Sequence, residues 1–507
     1  MSTATANPGA GAGNLLFDGA EWDFATVRRV YDAIEEIARD ELGLDPFPNQ
    51  IEIISAEQML DAYSSVGMPL MYAHWSYGKR FARDEALYRK GYQALAYEIV
   101  INSNPCISYC MEENTMAMQT LVIAHAAFGH NHFFKNNYLF QQWTDPAGIL
   151  DYLDFAKRYV GACEERHGLE AVETTLDAAH ALMGQGIFRY RRAPKLNLAE
   201  YERRRREKME REARDYVDLW RTVPGAAPSQ ADDLSEDEAR ERKRRLRLPE
   251  ENLLYFLEKN SLVLKSWQRE LLRIVRNLAQ YFYPQRQTKL MNEGCATFVH
   301  YTIVNRLYDK GLISEGALLE ILHSHANVIA QFDFDDPRYG GFNPYALGFA
   351  MMQDIQRICV APTEEDREWF PDIAGQRDWP AVLRDVWANY RDESFVRQFL
   401  SPRLIRKFKL FALSDKASDP SVKIDAIHDA EGYRRVRSTL ADTYEVGANE
   451  PDIQVVDVDL MGDRPLVLRH AVRHGVGLAE TGRDATMRHI RRLWGYQVRL
   501  DEMPANG

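Results

Sequence analysis

The sequence predicts an α+β protein: a mostly helical main domain holding a small strand–turn–strand element, and a small C-terminal α/β domain. Three observations predict it. The run Glu112–Asn137 is long enough for about seven helical turns, and its apolar residues point in every direction. Leu121 and Phe128 share one side, Val122 and Phe133 another, Ile123 and Phe134 a third. A helix apolar all round is a buried one. Just before it, Tyr97–Ile101 and Cys106–Met111 are β-rich apolar runs separated by Asn102-Ser103-Asn104-Pro105, a turn signal. From about Val422 the texture changes to short strands alternating with helices, in the order β-α-β-β-α-β. That order resembles the split ferredoxin-like sandwich.

Bulk properties narrow the function classes. A chain of 507 residues has ample core for several domains. Its net charge of −12 argues against a dedicated nucleic-acid or anionic-membrane binder. No apolar run approaches the length that spans a bilayer. The first residues, MSTATANPGAGAGNLLFDG, lack the basic start and apolar core of a signal peptide, so a cytoplasmic protein is expected. The five cysteines are sparse and odd in number, which reads as reduced thiols. Cys106 and Cys110 have the spacing of half a zinc site, with no second pair to complete it.

In chain order, residues 1–20 read as a disordered tail and 21–411 as the main domain. Trp22–Leu42 is an amphipathic helix, Gln50–Ile54 a strand, and Ser55–Tyr63 a helix with Ser55 as N-cap and Gln58 at the capping-box position. An aromatic-rich stretch surrounds His74. After the central helix come helices at Gly148–His167 and Leu169–Met183. Glu173 and His180 on the second read as a helix-surface pair, and Asp177 with His180 as a weak echo of di-iron carboxylate helices. Residues 195–249 carry dense mixed charge around a Pro/Ala/Ser break, the signature of a solvated, partly flexible insertion. Long helices follow through Gln280, at Met291–Asp309, at Ser314–Asn327, within Gly340–Cys359 and within Asp392–Phe411. The small α/β domain occupies 420–507.

The buried helix carries His125, His130 and His132, and buried polar groups need partners. A second polar island, Met291–His300, places Glu293 and His300 seven residues apart, within about 20° on one helix face. Ala296 and Thr297 between them are small enough to admit another backbone or an ion. Imidazoles from one helix with a carboxylate and an imidazole from another are ligands suited to zinc, iron or manganese. The candidate metal ligands are therefore His125, His130, Glu293 and His300. On a regular helix His125 converges with His132, whereas His125 and His130 differ by about 140°. A π-bulge permitted by Gly129 would bring the latter pair together, and such bulges favour functional sites. His132 otherwise reads as a polar cap, and His125 alone as a satisfied core histidine. His323 and His325 point to opposite sides of their helix, so at most one joins a site.

The wording HAAFGHN followed by NEGCATF resembles the pairing of gluzincin aminopeptidases, in which two histidines and a second-helix glutamate hold zinc. A strand–turn–strand before the histidine helix also suits a zincin-like layout. This chain departs from the pattern: the histidines are separated by four residues instead of three, and Ala126 stands where the catalytic glutamate would. A hydrolase would then need another general base, for which Glu112 and Glu113 are the candidates.

Longer phrases carry a resemblance that spans about Trp22 to Leu500. INSNPCISYCMEENTMAMQTLVIAHAAFGHNHFFKNN, PEENLLYFLEKNSLVLKSWQRELLRIVR, QYFYPQRQTKLMNEGCATFVHY, NPYALGFAMMQDIQRI, DESFVRQFLSP, GDRPLVLRH and LWGYQV resemble the stage V sporulation protein R (SpoVR) family. The resemblance implies a link to the spore cortex, a peptidoglycan layer, and to stress or starvation responses in bacteria that form no spores. It also implies company with a PrkA-type serine protein kinase and a von Willebrand A-type protein. No agreed reaction comes with it. Two expectations follow: a regulatory or scaffold protein with a buried His/Glu cavity, or a metal-dependent hydrolase of peptide or peptidoglycan-precursor amide bonds.

Overall fold

The computed structural model describes residues 15–65, 68, 71–89, 98–189, 246, 248–333, 336–410, 413–414, 423–424, 429–459, 463–473 and 477–504. Residues 1–14 of the expected tail and most of the charged insertion at 195–249 lie outside them. The chain divides into two compact units. The first comprises Met1–Met68, Ser76–Gln141 and Gln285–Glu445, and the second Pro69–Trp75, Gln142–Pro284 and Val446–Gly507.

In the first unit the expected N-terminal elements form where local chemistry dictates. Asp23 accepts the amide of Thr26 and starts the helix Phe24–Glu36, which ends in a π-turn, Ile37–Glu41. Ser55 and Gln58 form the capping box of the helix Ala56–Ser64. Three strands make one sheet: β1 (Asn49–Ile54), β2 (Glu98–Ile101) and β3 (Cys106–Met111), with β3 in the middle. Strand β1 runs parallel to β3, and β2 runs antiparallel to β3, pairing Glu98 with Cys110.

The central helix starts later than its apolar pattern suggests. The Glu112 amide extends the strand ladder by donating to Ile54 O at 2.9 Å, and Thr115 caps the helix by accepting from Met118 N. Regular α-helix runs from Met116 to Ile123, a π segment from Ala124 to His130, and α-helix again from Asn131 to Asn136. All residues from Met116 to Phe134 are buried, as the all-round apolar pattern requires. The helix Lys289–Asp309 packs against it, and the helix Pro344–Val360 packs against Lys289–Asp309 in the same core. They cross at Gly294 and Gly348. A Cβ on Gly348 would lie 2.4 Å from Leu290 O and 2.9 Å from Gly294 Cα, so only glycine permits this approach.

The far end of the Pro344–Val360 helix is tied by Asp366. Its carboxylate accepts from Arg357 Nη1 at 2.6 Å and Nη2 at 2.7 Å, and from Thr363 N at 2.8 Å and Oγ1 at 2.7 Å. Burial alone would raise the Asp366 pKa, but the Arg357 and Thr363 donors outweigh it and hold it at about 2. A carboxyl lowered in the folded state stabilises above its unfolded pKa and loses that contribution as pH falls. We expect about 2 kcal/mol present above pH ~4 and lost toward pH ~2. Urea unfolding of the parent and Asp366→Asn should differ by that amount at neutral pH and converge under acid.

The C-terminal expectation is met only in its coarse class. Lys423–Ile424 (β5), where the change of texture from about Val422 predicts the first C-terminal strand, pairs with Leu413–Ser414 (β4) in a separate two-stranded sheet; residues 421–422 and 425–428 lie outside the described ones. The following helix, Ala430–Thr443, buries Tyr433, Val436 and Leu440 in the core of the first unit. The ferredoxin-like order is therefore not assembled among the described residues. In the second unit β6 (Ile453–Val458), β7 (Leu466–Val472) and β8 (Val498–Pro504) form a three-stranded sheet. Strand β7 pairs antiparallel with β6 and parallel with β8. The parallel pair needs a crossover, supplied by the helix Glu480–Trp494, which buries Met487, Ile490, Leu493 and Trp494. The same unit holds the helices Ile149–His167, Leu169–Ala181 and Leu253–Asn260.

Candidate metal centre

The π segment decides which histidines meet. One π-helical turn brings residues five apart onto one face, and the His125 and His130 rings lie 4.6 Å apart, centroid to centroid, at right angles. The expected convergence of His125 with His132 on a regular helix does not form. His132 instead accepts the Asp45 amide at its Nδ1 (2.9 Å) and packs edge-on against Trp387. Burial pushes its pKa down to about 4, in keeping with a structural acceptor. Asn131 beside it grips the same loop, accepting from Phe47 N and donating to Phe47 O.

The π segment and the Lys289–Asp309 helix lie antiparallel: His125 meets His300, Gly129 meets Ala296, and His130 meets Glu293. Gly129 makes this possible, since a Cβ there would stand 2.5 Å from Ala296 Cα. The start of the Glu293 helix is fixed by Asp392, whose carboxylate accepts from Leu290 N at 2.8 Å and Met291 N at 2.9 Å.

One ligand atom each from His125, His130 and Glu293 lie within 4.8 Å of one another. Glu293 Oε2 stands 3.6 Å from His130 Nε2 and is buried without a hydrogen-bond partner. The Asn292 amide oxygen faces His130 Nδ1 at 2.9 Å, and a proton donated there leaves the Nε2 lone pair free toward Glu293. His125 Nδ1 is 2.9 Å from His300 Nδ1, and His300 Nε2 is 2.9 Å from His325 Nδ1. Both nitrogens of His300 are thus engaged, so it stands one step behind His125 as an orienting partner; sequence spacing had made it a ligand candidate. His325 joins this chain and His323 is exposed, as their opposite faces require.

Burial, with the neighbouring rings His130 and His300, holds the His125 pKa well below the ordinary imidazole value. Burial and the facing His325 do the same to His300, and burial takes His325 to about 4. Neutral imidazoles are what a metal requires.

Sequence reasoning missed two groups here. Glu98, on β2, puts Oε1 at 3.7 Å from His125 Nε2. Burial and the nearby Glu293 push its pKa up to about 8. Tyr345, at the start of the Pro344–Val360 helix, lies near Glu293; burial and the two glutamates push its phenol pKa up. The signal available for Glu98 was one carboxylate in an otherwise apolar strand, EIVI, next to the histidine helix. Glu112 and Glu113, the candidate general bases, are exposed side chains in the turn after β3, outside the buried group. Glu112 is engaged through its backbone, accepting from Trp22 Nε1.

The second unit has a separate polar cluster. His180 Nε2 is 2.5 Å from the Tyr72 hydroxyl, while Asp177 accepts from Trp75 Nε1 at 2.7 Å and faces His74 Nε2 at 3.2 Å. All five cysteines are free and buried, and Cys106 donates to Ile101 O, which removes the half-zinc reading.

If Asn292 orients His130, removing it should weaken metal binding without unfolding the chain. Asn292→Ala is expected to reduce affinity by about 10–100-fold, the range for groups that orient a metal-binding histidine. Competition against a chelating dye measures it.

Comparison with known proteins gives the chain a family. The family model described as SpoVR like protein matches residues 21–449, and that described as SpoVR-like C-terminal domain matches 451–505. The Uncharacterized protein YcgB of Escherichia coli (strain K12) is 51% identical over 492 residues, covering 97% of this chain and 94% of the relative. No solved structure matches. With both family models and a relative of that identity spanning nearly its whole length, the chain belongs to the SpoVR family.

Proposed function

We propose that the chain holds a divalent transition metal between His125, His130 and Glu293 and uses it to hydrolyse an amide bond of a peptide or peptidoglycan precursor in the cytoplasm. The observation that carries this reading is the convergence of the three ligand atoms, with Glu293 Oε2 buried and unbonded. Zinc, iron and manganese all suit such a donor set. A bound ion would supply Lewis acidity and a water acidified toward neutral pH. The chain itself supplies Tyr345 beside Glu293, a phenol that burial and the two glutamates keep protonated, so that it can act as a hydrogen-bond donor. The substrate class rests on the family's link to the peptidoglycan cortex. The reading does not depend on a zincin mechanism, since Ala126 replaces the carboxylate that such a mechanism uses.

Elemental mass spectrometry on protein purified without a histidine tag tests the metal. Near-stoichiometric zinc, iron or manganese is expected in the parent and its loss in Glu293→Ala. Amide cleavage of a peptidoglycan stem peptide should stop on chelation and return on reloading. Metal-free parent protein would sink the proposal.

One observation favours a second reading. His300 is satisfied at both nitrogens by other histidines, and His130 Nδ1 by Asn292, as in a purely structural network. Under it the chain is a regulatory or scaffold protein in cortex formation or stress response, engaging a PrkA-type serine kinase or a von Willebrand A-type protein. Undiminished kinase capture by Glu293→Ala, with no metal in the parent, is the outcome it predicts.

A further inference from the structure

Resting on the metal reading above, we infer that Glu98 is the fourth protein donor, so that the ion is held by two imidazoles and two carboxylates. Charge is the first reason. Glu98 approaches His125 and Glu293 approaches His130, from different elements, β2 and the Lys289–Asp309 helix, and the two histidine rings are themselves 4.6 Å apart. Among the described residues neither carboxylate pairs with a lysine or arginine; imidazoles are their ion-pair partners. Two buried carboxyl groups near one pair of histidines are costly to keep ionised without a cation, and a bound metal is an arrangement that holds both as carboxylates.

A divalent cation between them balances both charges. Each histidine then gives Nε2, each glutamate one oxygen, and the second nitrogens stay with Asn292 and His300. Position supports this as well as charge. Glu98 pairs with buried Cys110 across the ladder, in a strand whose other residues are Ile99, Val100 and Ile101. A carboxylate there adds nothing to sheet packing. An N2O2 set also differs from the three-ligand His2Glu set, because it is already four-coordinate from protein alone. Oxygen-rich sets of this kind accommodate manganese and iron as well as zinc, and admit a further water only by expanding.

The test uses Co2+ as a spectroscopic probe on the metal-depleted full chain, comparing parent, Glu98→Gln, Glu98→Asp and Glu293→Gln. The expected result is one Co2+ per parent chain. Glu98→Gln should bind about tenfold more weakly or worse, with shifted visible d–d bands, and Glu293→Gln should behave similarly. Weaker binding by Glu98→Gln with unchanged bands would mean a remote charge effect and would overturn ligation by Glu98. Unchanged affinity would overturn it too, while leaving the three-residue site standing. A parent that binds no Co2+ would remove the underlying reading itself. Should Glu98→Gln fail to fold by circular dichroism, Glu98→Asp decides: altered bands support the assignment and unaltered bands reject it.

Discussion

Replacing Gly129 by alanine is expected to cost about 3 kcal/mol of stability, at the upper end of overpacking effects, and to abolish the proposed metal binding with it. The new Cβ would stand 2.5 Å from Ala296 Cα and 2.9 Å from Ala296 Cβ. Neither atom can rotate away, so one helix must move. That movement separates His130 from Glu293, since both flank the contact. Gly161 is the control. It lies within the helix Ile149–His167, and a Cβ added there would meet nothing within 4 Å, so Gly161→Ala should stabilise by about 0.5–1 kcal/mol. Urea unfolding of both variants, with Co2+ titration of each, distinguishes local clash from a general intolerance of alanine. Equal effects at the two positions would refute the close approach.

The second large effect belongs to Glu258 in the second unit. Its side chain is 1% exposed and faces Arg273 Nη2 at 2.7 Å, Lys259 Nζ at 3.0 Å and Arg276 Nε at 3.4 Å. Burial alone would raise its pKa, but Arg276 and Arg273 outweigh that and lower it, so the group is an anion. Glu258→Ala removes the carboxylate shared by Arg273 and Arg276 and leaves Glu270, 3.0 Å from Arg273 Nη1, as the nearby acid. The expected cost is about 3–5 kcal/mol, the range for breaking a buried ion pair from one side. A double variant that also replaces Arg276 by methionine should recover part of the loss. Equilibrium unfolding in urea measures both, and a cost below about 1 kcal/mol would place Glu258 among ordinary surface pairs.

Much of the architecture was legible because it is local. The Ser55 and Gln58 capping box, the strand–turn–strand before the central helix and the all-round burial of that helix are each written in a few adjacent residues. The two histidines and Glu293 were legible as polar residues in apolar helices, and Gly129 as the residue that would permit a π-turn. What adjacent residues could not show is contact between distant segments. Which histidine pair converges depends on the packing of Gly129 on Ala296, residues far apart in the chain. Glu98 becomes a site residue only because β2 lies beside the π segment. His300 has the spacing of a ligand, yet His325, from another helix, takes its second nitrogen. The strand at Lys423–Ile424 has the right composition for the C-terminal sheet but pairs with Leu413–Ser414, a choice set by neighbours in space.

The most direct test of the proposed metal centre is anomalous X-ray diffraction from crystals of the untagged protein, recorded on either side of the zinc, iron and manganese edges. A single peak at about 2.0–2.2 Å from His125 Nε2, His130 Nε2 and a Glu293 oxygen is the predicted result. An ordered, fully occupied histidine cluster with no anomalous density among those atoms, in crystals grown with the metals supplied, would contradict it.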